Sequence, residues 1–252
     1  MGTNVLLAAL ETQAHVWTAR TDAIASERLR AAGKHMLNTE ELARYERFHS
    51  DVARHDYLAA HALLRSSLSR YAAVDPADWA FAAGPYGKPA LYNDPALPPL
   101  CFNLSHTRNL VACVITLDCG CGVDVEIVNP SRNIHSIARM VFTDSEIAGL
   151  GLCSESEAVE RFFRIWTLKE AFAKATGEGF SAELQRITFD RIEETAPALH
   201  RDCVTVPAPC EWTFLSSTPT PLHRLAVAVQ ARREVVCTDI TLQLADLGFA
   251  FR

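Results

Sequence analysis

The stretch from Phe162 to Phe180 reads FFRIWTLKEAFAKATGEGF and carries the clearest structural pattern in the chain. Its apolar side chains recur at the three- and four-residue spacing of an α-helix, which predicts one buried stripe. The stripe consists of Phe162, Ile165, Leu168, Phe172 and Ala175. Gly177 and Gly179 follow, and glycine supplies the Cβ-free, left-handed position at which helices commonly end. The pattern therefore predicts one helix with a glycine-marked end.

A second face of this predicted helix is polar. Trp166, Glu170 and Lys174 are four residues apart, so they stack along one side. The spacing of Glu170 and Lys174 also fits an ordinary surface pair, which stabilises a helix by only a few tenths of a kcal/mol. The spacing alone leaves both interpretations open.

The composition is that of an ordinary globular protein. The chain has 252 residues, of which 49% are hydrophobic and 21% charged, enough for one large domain or two smaller ones. The net charge is −6, which argues against a nucleic-acid binder that relies on bulk positive charge. An acidic protein can still hold an anionic ligand in a local basic pocket.

Eight cysteines are scattered along the chain without a CxxC pair, and no histidines are spaced to complete a zinc site. We interpret them as reduced thiols, mostly in the core of a cytoplasmic protein. The first residues lack the basic and long apolar regions of a secretory signal. No apolar run reaches the length of about 18 residues that a membrane span needs.

The order of predicted elements divides the chain into two parts, 1–119 and 120–252, each with helices followed by strands. Residues 4–10 are predicted to form an opening strand. The apolar run 110–117 predicts a buried strand, and residues 122–127 predict the next one. The turn between these two runs predicts that they pair as a hairpin.

Two carboxylates stand out on the second of these strands. Asp124 and Glu126 are two residues apart, so both project from one face while Val123 and Val125 project from the other. Neighbouring carboxylates repel one another, and oxygen ligands with open positions are typical of a Mg²⁺ site. Glu170 is a candidate third ligand. The alternative is an exposed strand face with ordinary polar residues.

Basic residues concentrate earlier in the chain. Arg44, Arg54 and Lys88, with His106, could hold the phosphates of a polyanionic substrate. A solvated helix face and a satisfied, partly buried histidine are the alternatives.

Taken together, these motifs resemble the 4'-phosphopantetheinyl transferases. GKP at 87–89, FNLSH at 102–106, GVDVE at 122–126 and WTLKEAFAKATGEG at 166–179 occur in the order and approximate spacing of that family. The length and the WxxKExxxKxxGxG form resemble its surfactin-synthetase-activating (Sfp) type. The resemblance spans roughly residues 44–179.

The resemblance implies an α+β fold, a pseudo-dimer of two similar α+β halves with the active site in the cleft between them. It implies transfer of the 4'-phosphopantetheine arm of coenzyme A to a serine of an apo acyl or peptidyl carrier protein. Adenosine 3',5'-bisphosphate is the other product. A monomer is expected, because both halves lie in one chain.

The resemblance also assigns roles to residues of this chain. The implied Mg²⁺ ligands are Asp124, Glu126 and Glu170. Glu170 is the implied base, acting directly or through water, and Lys174 protonates or neutralises the leaving phosphate. The remaining implied coenzyme contacts are Arg44, Arg54, Gly87, Lys88, Pro89, Ser105 and His106, with Lys174.

One departure from the family pattern concerns the 3'-phosphate. Glu41 stands where some members have a second lysine before the position of Arg44, which leaves open which side chains bind that phosphate. The preferred carrier is also open. Arg139, Met140 and Phe142 are candidate docking residues.

Two other functions compete with the transferase. One is a non-catalytic module that binds coenzyme A or a carrier protein, and the other is a different Mg²⁺-dependent hydrolase or phosphotransferase. The intact acidic motif disfavours the first, and the coenzyme-loop motifs disfavour the second.

Overall fold

The computed structural model describes residues 4–84, 88–92, 94–177, 182–200 and 211–241. They form two compact units. The first contains the described residues up to Asp118 and those from Glu234 onward, and the second runs from Cys119 to Arg233. This differs from the sequence-based division, which places everything after 119 in one half. A local pattern does not show which sheet a distant strand joins.

The helices described in the first unit are α1 (Val5–Ala9), α2 (Ser26–Met36), α3 (Thr39–Arg47) and α4 (Asp51–Leu68). Residues 4–10 were expected to form a strand, and that prediction is wrong. Asn4 accepts a hydrogen bond from the Leu7 amide at 3.2 Å and starts a helical turn instead. Such local capping can override apolar strand propensity in a short segment.

The strands described in this unit, numbered along the chain, are β1 (Gln13–Arg20), β2 (Phe81–Ala83), β3 (Pro89–Leu91), β4 (Leu100–Thr107), β5 (Leu110–Leu117) and β11 (Glu234–Asp239). A four-stranded sheet has the order β11-β1-β5-β4. The β1–β11 pair is parallel, whereas the other pairs are antiparallel. The buried side chains of α4 pack against this sheet and form one hydrophobic core with it.

The described elements of the second unit are β6 (Cys121–Ile127), α5 (Ile134–Val141), α6 (Asp144–Gly151), α7 (Glu155–Thr176), β7 (Phe189–Asp190), β8 (Ala198–Leu199), β9 (Thr213–Thr220) and β10 (His223–Val229). An antiparallel sheet has the order β6-β10-β9, and α7 packs on β6 and β10. A short 3₁₀ turn, Ala182–Arg186, follows α7.

The predicted helix is α7, and its five stripe residues are all buried. It begins earlier than the stripe, at Glu155, where Glu157 accepts a hydrogen bond from the Ser154 amide at 2.9 Å. It ends at Gly177 with φ of 78°, in the left-handed region. Gly179 lies outside the described residues.

The predicted hairpin between residues 110–117 and 122–127 is wrong. Both runs are strands, but β5 pairs with β1 and β4, and β6 pairs with β10. Because both edges of β5 are already occupied, β6 has no edge of that strand to join. The chain turns at Asp118, which has φ of 51°, and enters the second unit.

The six cysteines within the described residues are free thiols. None of the helices in those ranges is both long and apolar enough to span a membrane.

Candidate active site

The acidic strand and the long helix of the second unit lie in direct backbone contact at Gly122. A Cβ atom placed on Gly122 would lie 2.0 Å from Ala171 O and 2.5 Å from Ala175 N, so only glycine fits. Residues two and four positions further along β6 share its face of the sheet. The side chains of Asp124 and Glu126 are thereby directed to the side of β6 that α7 covers.

Asp124 forms an ion pair with Lys174 of α7. Lys174 Nζ lies 2.7 Å from Asp124 Oδ1 and also donates to Val123 O at 3.2 Å. The Asp124 side chain is only 7% exposed and that of Lys174 is 29% exposed. An ammonium group is therefore fixed beside a buried carboxylate, one helical turn beyond Glu170.

Glu126 is held by an aromatic and a basic side chain. Trp166 Nε1 donates to Glu126 Oε1 at 3.0 Å, and Arg132 Nη1 lies 3.3 Å from Glu126 Oε2. The Arg132 guanidinium also lies 5.5 Å from the centre of the Trp166 ring. Burial and the negative charge of Asp124 nevertheless raise the pKa of Glu126 above its ordinary value.

Glu170 completes an acidic cluster. Burial, together with the charges of Asp124 and Glu126, raises the pKa of Glu170 to about 7 against the opposing charge of Lys174. Three carboxylates thus share one partly buried region, where two of them resist ionisation. Such a group can accept a proton near neutral pH or bind a cation that relieves the repulsion.

The predicted metal ligands are close enough to repel one another, but they do not form a ready-made coordination site. Within the described residues, no group of three His, Cys, Asp or Glu side chains has an arrangement that could hold a metal ion. In this structure the Lys174 ammonium is the cation that balances Asp124.

A cavity of about 580 Å³ lies in the first unit. Its lining includes three of the predicted coenzyme residues, Arg44, Pro89 and His106. Arg47 and His61 add basic groups, and aromatic side chains such as Tyr57 add apolar surface. The combination of basic and aromatic groups suits a phosphorylated ligand that carries a ring.

Glu41 is an acid in the wall of this cavity, and two basic side chains hold its carboxylate in place. Arg65 Nη2 lies 2.8 Å from Glu41 Oε2, and His61 Nδ1 lies 3.3 Å from Glu41 Oε1. Burial alone would raise the pKa of Glu41, but His61, the Asn38 amide and Arg65 outweigh it and lower the pKa to about 2. The departure from the family pattern is therefore an internally balanced carboxylate.

The other predicted coenzyme residues are placed differently. Ser105 is buried on β4, the strand that carries His106. Lys88 immediately precedes β3, and Gly87 lies outside the described residues. Arg54 lines a separate cavity of the first unit, so the structure does not bring it together with Arg44.

Sequence reasoning did not assign Arg47, Tyr57 or His61, although all three line the cavity with Arg44. A helical signal was present, because Arg47 lies three residues after Arg44 and His61 lies four after Tyr57. The Tyr57 and His61 rings are 4.3 Å apart, and Arg44 lies 6.0 Å from the Tyr57 ring. Only the packing of α3 against α4 shows that these pairs share one cavity.

The candidate docking residues also differ in accessibility. Met140 is 72% exposed, whereas Phe142 is 2% exposed and packs in the core of the second unit. Phe142 is therefore not available to a partner, and this candidate is wrong.

Comparison with known proteins identifies relatives across most of the chain. Residues 120–230 match the 4'-phosphopantetheinyl transferase superfamily. 4'-Phosphopantetheinyl transferase HetI from Nostoc is 34% identical over 223 residues, which cover 88% of this chain and 90% of that protein. 4'-Phosphopantetheinyl transferase AcpT from Escherichia coli K12 is 34% identical over 70% of this chain and 82% of its own length.

Other matches are shorter. 4'-Phosphopantetheinyl transferase Sfp from Bacillus subtilis is 31% identical over 59% of this chain and 63% of its own length. The solved structure of Thermotoga maritima holo-[acyl-carrier-protein] synthase shares 23% identity over 45% of this chain and 64% of that one, with a TM-score of 0.34. That structural likeness is too weak to support an inference. The near-complete match to HetI is what establishes that this chain belongs to the 4'-phosphopantetheinyl transferase superfamily.

Proposed function

We propose that this protein transfers the 4'-phosphopantetheine arm of coenzyme A to a serine of an apo acyl or peptidyl carrier protein. The observation that carries the proposal is the acidic cluster of Asp124, Glu126 and Glu170 beside Lys174, in a chain of this family. The serine oxygen forms a bond to the β-phosphorus of coenzyme A. The bond from that phosphorus to the bridging oxygen breaks, and adenosine 3',5'-bisphosphate leaves.

The chemistry of the acidic cluster fits a magnesium ion. Its donors are carboxylates without thiol or imidazole groups, which is the ligand type that Mg²⁺ prefers. Burial and mutual repulsion raise the pKa of both Glu126 and Glu170, so a divalent cation would stabilise their charged forms. Asp124, Glu126 and Glu170 would hold the ion, which would neutralise charge on the pyrophosphate of the substrate.

Glu170 and Lys174 divide the proton and charge transfers between them. Glu170 accepts the proton of the attacking serine hydroxyl, directly or through water. Lys174, which Asp124 and the Val123 carbonyl hold in place, offers its ammonium group to the leaving phosphate. The two side chains are four residues apart on α7, so one rigid helix fixes their spacing.

The cavity of the first unit supports binding of the nucleotide part of coenzyme A. Arg44, Arg47 and His61 are the basic groups on its helical walls, while His106 and Pro89 come from strands. We assign the 3'-phosphate to Arg44 with Arg47, since Arg65 and His61 balance the charge of Glu41. Contacts from Gly87, Lys88 and Ser105 to the coenzyme stay predictions.

A non-catalytic module that binds coenzyme A or a carrier is the alternative function. Such a module has no need for a cluster of repelling carboxylates, which costs stability when partly buried. The retained cluster therefore favours the enzyme. We further propose that the enzyme acts as a cytoplasmic monomer.

Intact-protein mass spectrometry tests the function directly. An apo acyl carrier protein and an apo peptidyl carrier protein are each incubated with this protein, coenzyme A and Mg²⁺, with parallel samples in EDTA. We expect a gain of one phosphopantetheine that EDTA abolishes. Coenzyme A binding without any gain on either carrier would support the binding module instead, and a gain that persists in EDTA would contradict the metal assignment.

A further inference from the structure

A second basic cavity lies in the first unit, and it shares no lining residue with the proposed coenzyme cavity. Its volume is about 520 Å³, close to that of the proposed coenzyme cavity. Two arginines and a lysine line it together with His55: Arg30 and Lys34 come from α2, and Arg54 and His55 from α4. From this geometry we infer that the cavity binds a small phosphate-bearing anion.

The two cavities are separate because α3 forms a wall between them. Residues 44 and 47 of α3 line the coenzyme cavity, whereas residues 45 and 46 line the second one. Successive helical residues differ by about 100° in direction, so neighbours in sequence face different sides. The residues that line the two cavities are different throughout.

The basic side chains of the second cavity are partly positioned in advance. Arg30 and Lys34 are four residues apart and lie on one face of α2. Lys34 Nζ lies 5.1 Å from the centre of the Tyr45 ring, and Tyr45 is buried. Arg30 Nε donates to Ser26 O at 3.3 Å along the same helix. These contacts lower the entropy cost of gathering the charges around a ligand.

Two acids share the cavity but do not cancel its basic character. Asp51 lies 2.8 Å from Arg54 Nη1, but its side chain is 91% exposed, and such surface pairs are weak. Glu46 is an exposed wall residue. Three cations against two carboxylates make this region basic within a chain of net charge −6. Guanidinium groups bind phosphate through two parallel hydrogen bonds, which favours phosphate over a carboxylate ligand.

Pyrophosphate titration by calorimetry tests the inference with a matched pair of variants. Arg30→Gln removes a cation from the cavity, and Arg28→Gln removes the same charge from the same helix two residues away. All proteins carry Arg44→Gln, which weakens pyrophosphate binding in the coenzyme cavity. We expect Arg30→Gln and Lys34→Gln each to weaken pyrophosphate binding about fivefold or more, and Arg28→Gln to change it less than about twofold.

Three results would overturn the inference. The first is no pyrophosphate binding below about 10 mM in the Arg44→Gln background. The second is an equal loss in Arg28→Gln and Arg30→Gln, which would indicate a diffuse field instead of a site. The third is a pyrophosphate affinity that neither Arg30→Gln nor Lys34→Gln changes. None of these measurements depends on transferase activity, so the inference and the proposed function can fail separately.

Discussion

The two units fix their longest described helix with the same kind of buried ion pair, but only α7 carries acidic-cluster residues on that helix. Arg65 is the fifteenth residue of α4, Lys169 is the fifteenth residue of α7, and both side chains are fully buried. Arg65 pairs with Glu41 and Lys169 pairs with Glu146, at 2.8 and 2.7 Å. Each glutamate is also the third residue of the short preceding helix and closes its capping box.

The correspondence extends to the groups around each cation. Arg65 donates to Trp79 O at 2.8 Å and lies over the Phe81 ring. Lys169 donates to Leu184 O at 2.8 Å and lies over an aromatic ring, that of Phe142. In both units a buried cation thus joins the long helix to a capped short helix and to the chain beyond. This shared framework supports two similar halves even though the sequence shows no strong internal repeat.

The difference begins at the next residue. Ser66 follows Arg65, whereas Glu170 follows Lys169. Four residues later, Arg70 lies 4.8 Å from the Trp17 ring, and its counterpart Lys174 pairs with Asp124. The framework and the reactive groups are therefore adjacent in sequence but point in different directions around the helix. One half can change its chemistry without losing its framework.

Glu170→Ala should break the chemistry of the second unit with the largest effect. We expect transfer to fall at least ~10³-fold, because the proposed function gives this one side chain the roles of both base and metal ligand. The melting temperature should stay the same or rise slightly, since the change removes repulsion from Asp124 and Glu126. Ser66→Ala at the matching position of α4 is the control and should leave turnover unchanged. A large loss of thermal stability in Glu170→Ala would contradict the assignment.

Lys174→Ala tests the second position at which α7 differs from the first unit, where Arg70 is the counterpart. Loss of one charge-stabilising or proton-transfer group should lower kcat by ~10²–10³-fold. Arg70→Ala removes the corresponding cation of the first unit, which contacts an aromatic ring instead of an acid. Its kcat should therefore stay near that of the parent, measured by carrier mass shift under saturating coenzyme A. Normal turnover in Lys174→Ala would remove Lys174 from the mechanism.

Local patterns were sufficient to predict the helix of the second unit and its glycine end. These features depend on residues within a few positions of each other, which a sequence shows directly. The α+β fold of the family is confirmed as well.

Long-range pairing was not predictable in the same way. The failed hairpin involved two correctly identified strands: β5 pairs with the neighbouring β4 and with the distant β1, and β6 pairs with the distant β10. The shared environment of Arg44 and His61, and its separation from Arg54, depends on how α3 and α4 pack. The buried roles of Arg65 and Lys169 were equally hidden, because each cation finds a carboxylate more than 20 residues away.

Replacing each buried cation by methionine tests whether the framework is shared. Removing one partner of a buried ion pair leaves an uncompensated charge and typically costs about 3–5 kcal/mol of stability. We expect Lys169→Met and Arg65→Met to lower the free energy of unfolding by similar amounts. Denaturant titration measures the loss, and hydrogen exchange locates it.

The location of the lost exchange protection is the decisive result. It should centre on residues 119–233 in Lys169→Met and on the other unit in Arg65→Met. A double variant, Lys169→Met with Glu146→Gln, should regain part of the lost stability because no unpaired charge remains. If either variant lost protection evenly over both units, the buried ion pair would not be a local stabilising contact of its own unit.

Gly122→Ala breaks the close backbone contact between β6 and α7 of the second unit. The added Cβ would meet Ala171 O and Ala175 N at distances far below van der Waals contact, so α7 must shift. We expect a loss of about 3 kcal/mol, at the upper end for overpacking, together with reduced transfer. Gly151→Ala is the control, because a Cβ there has no atom within 4 Å. Equal stability of these two variants in denaturant titration would contradict the close approach of α7 to β6.

Acid titration tests the contacts of Glu41 with Arg65 and His61 in the first unit. The pKa of Glu41 is lowered from its usual 4.5 to about 2 in the folded state, so the folded protein favours the charged form. The resulting stability is present above about pH 4.5 and is lost as the pH falls toward 2. About 2 kcal/mol of it should disappear between roughly pH 5 and pH 3.

Other carboxylates titrate in the same range, so the useful quantity is the difference in stability between the parent protein and Glu41→Gln. That variant starts less stable, because Arg65 has lost its partner, but its stability should fall less steeply with acid. Parallel slopes for the two proteins, measured by denaturant titration at several pH values, would show that Arg65 and His61 do not stabilise the charged carboxylate.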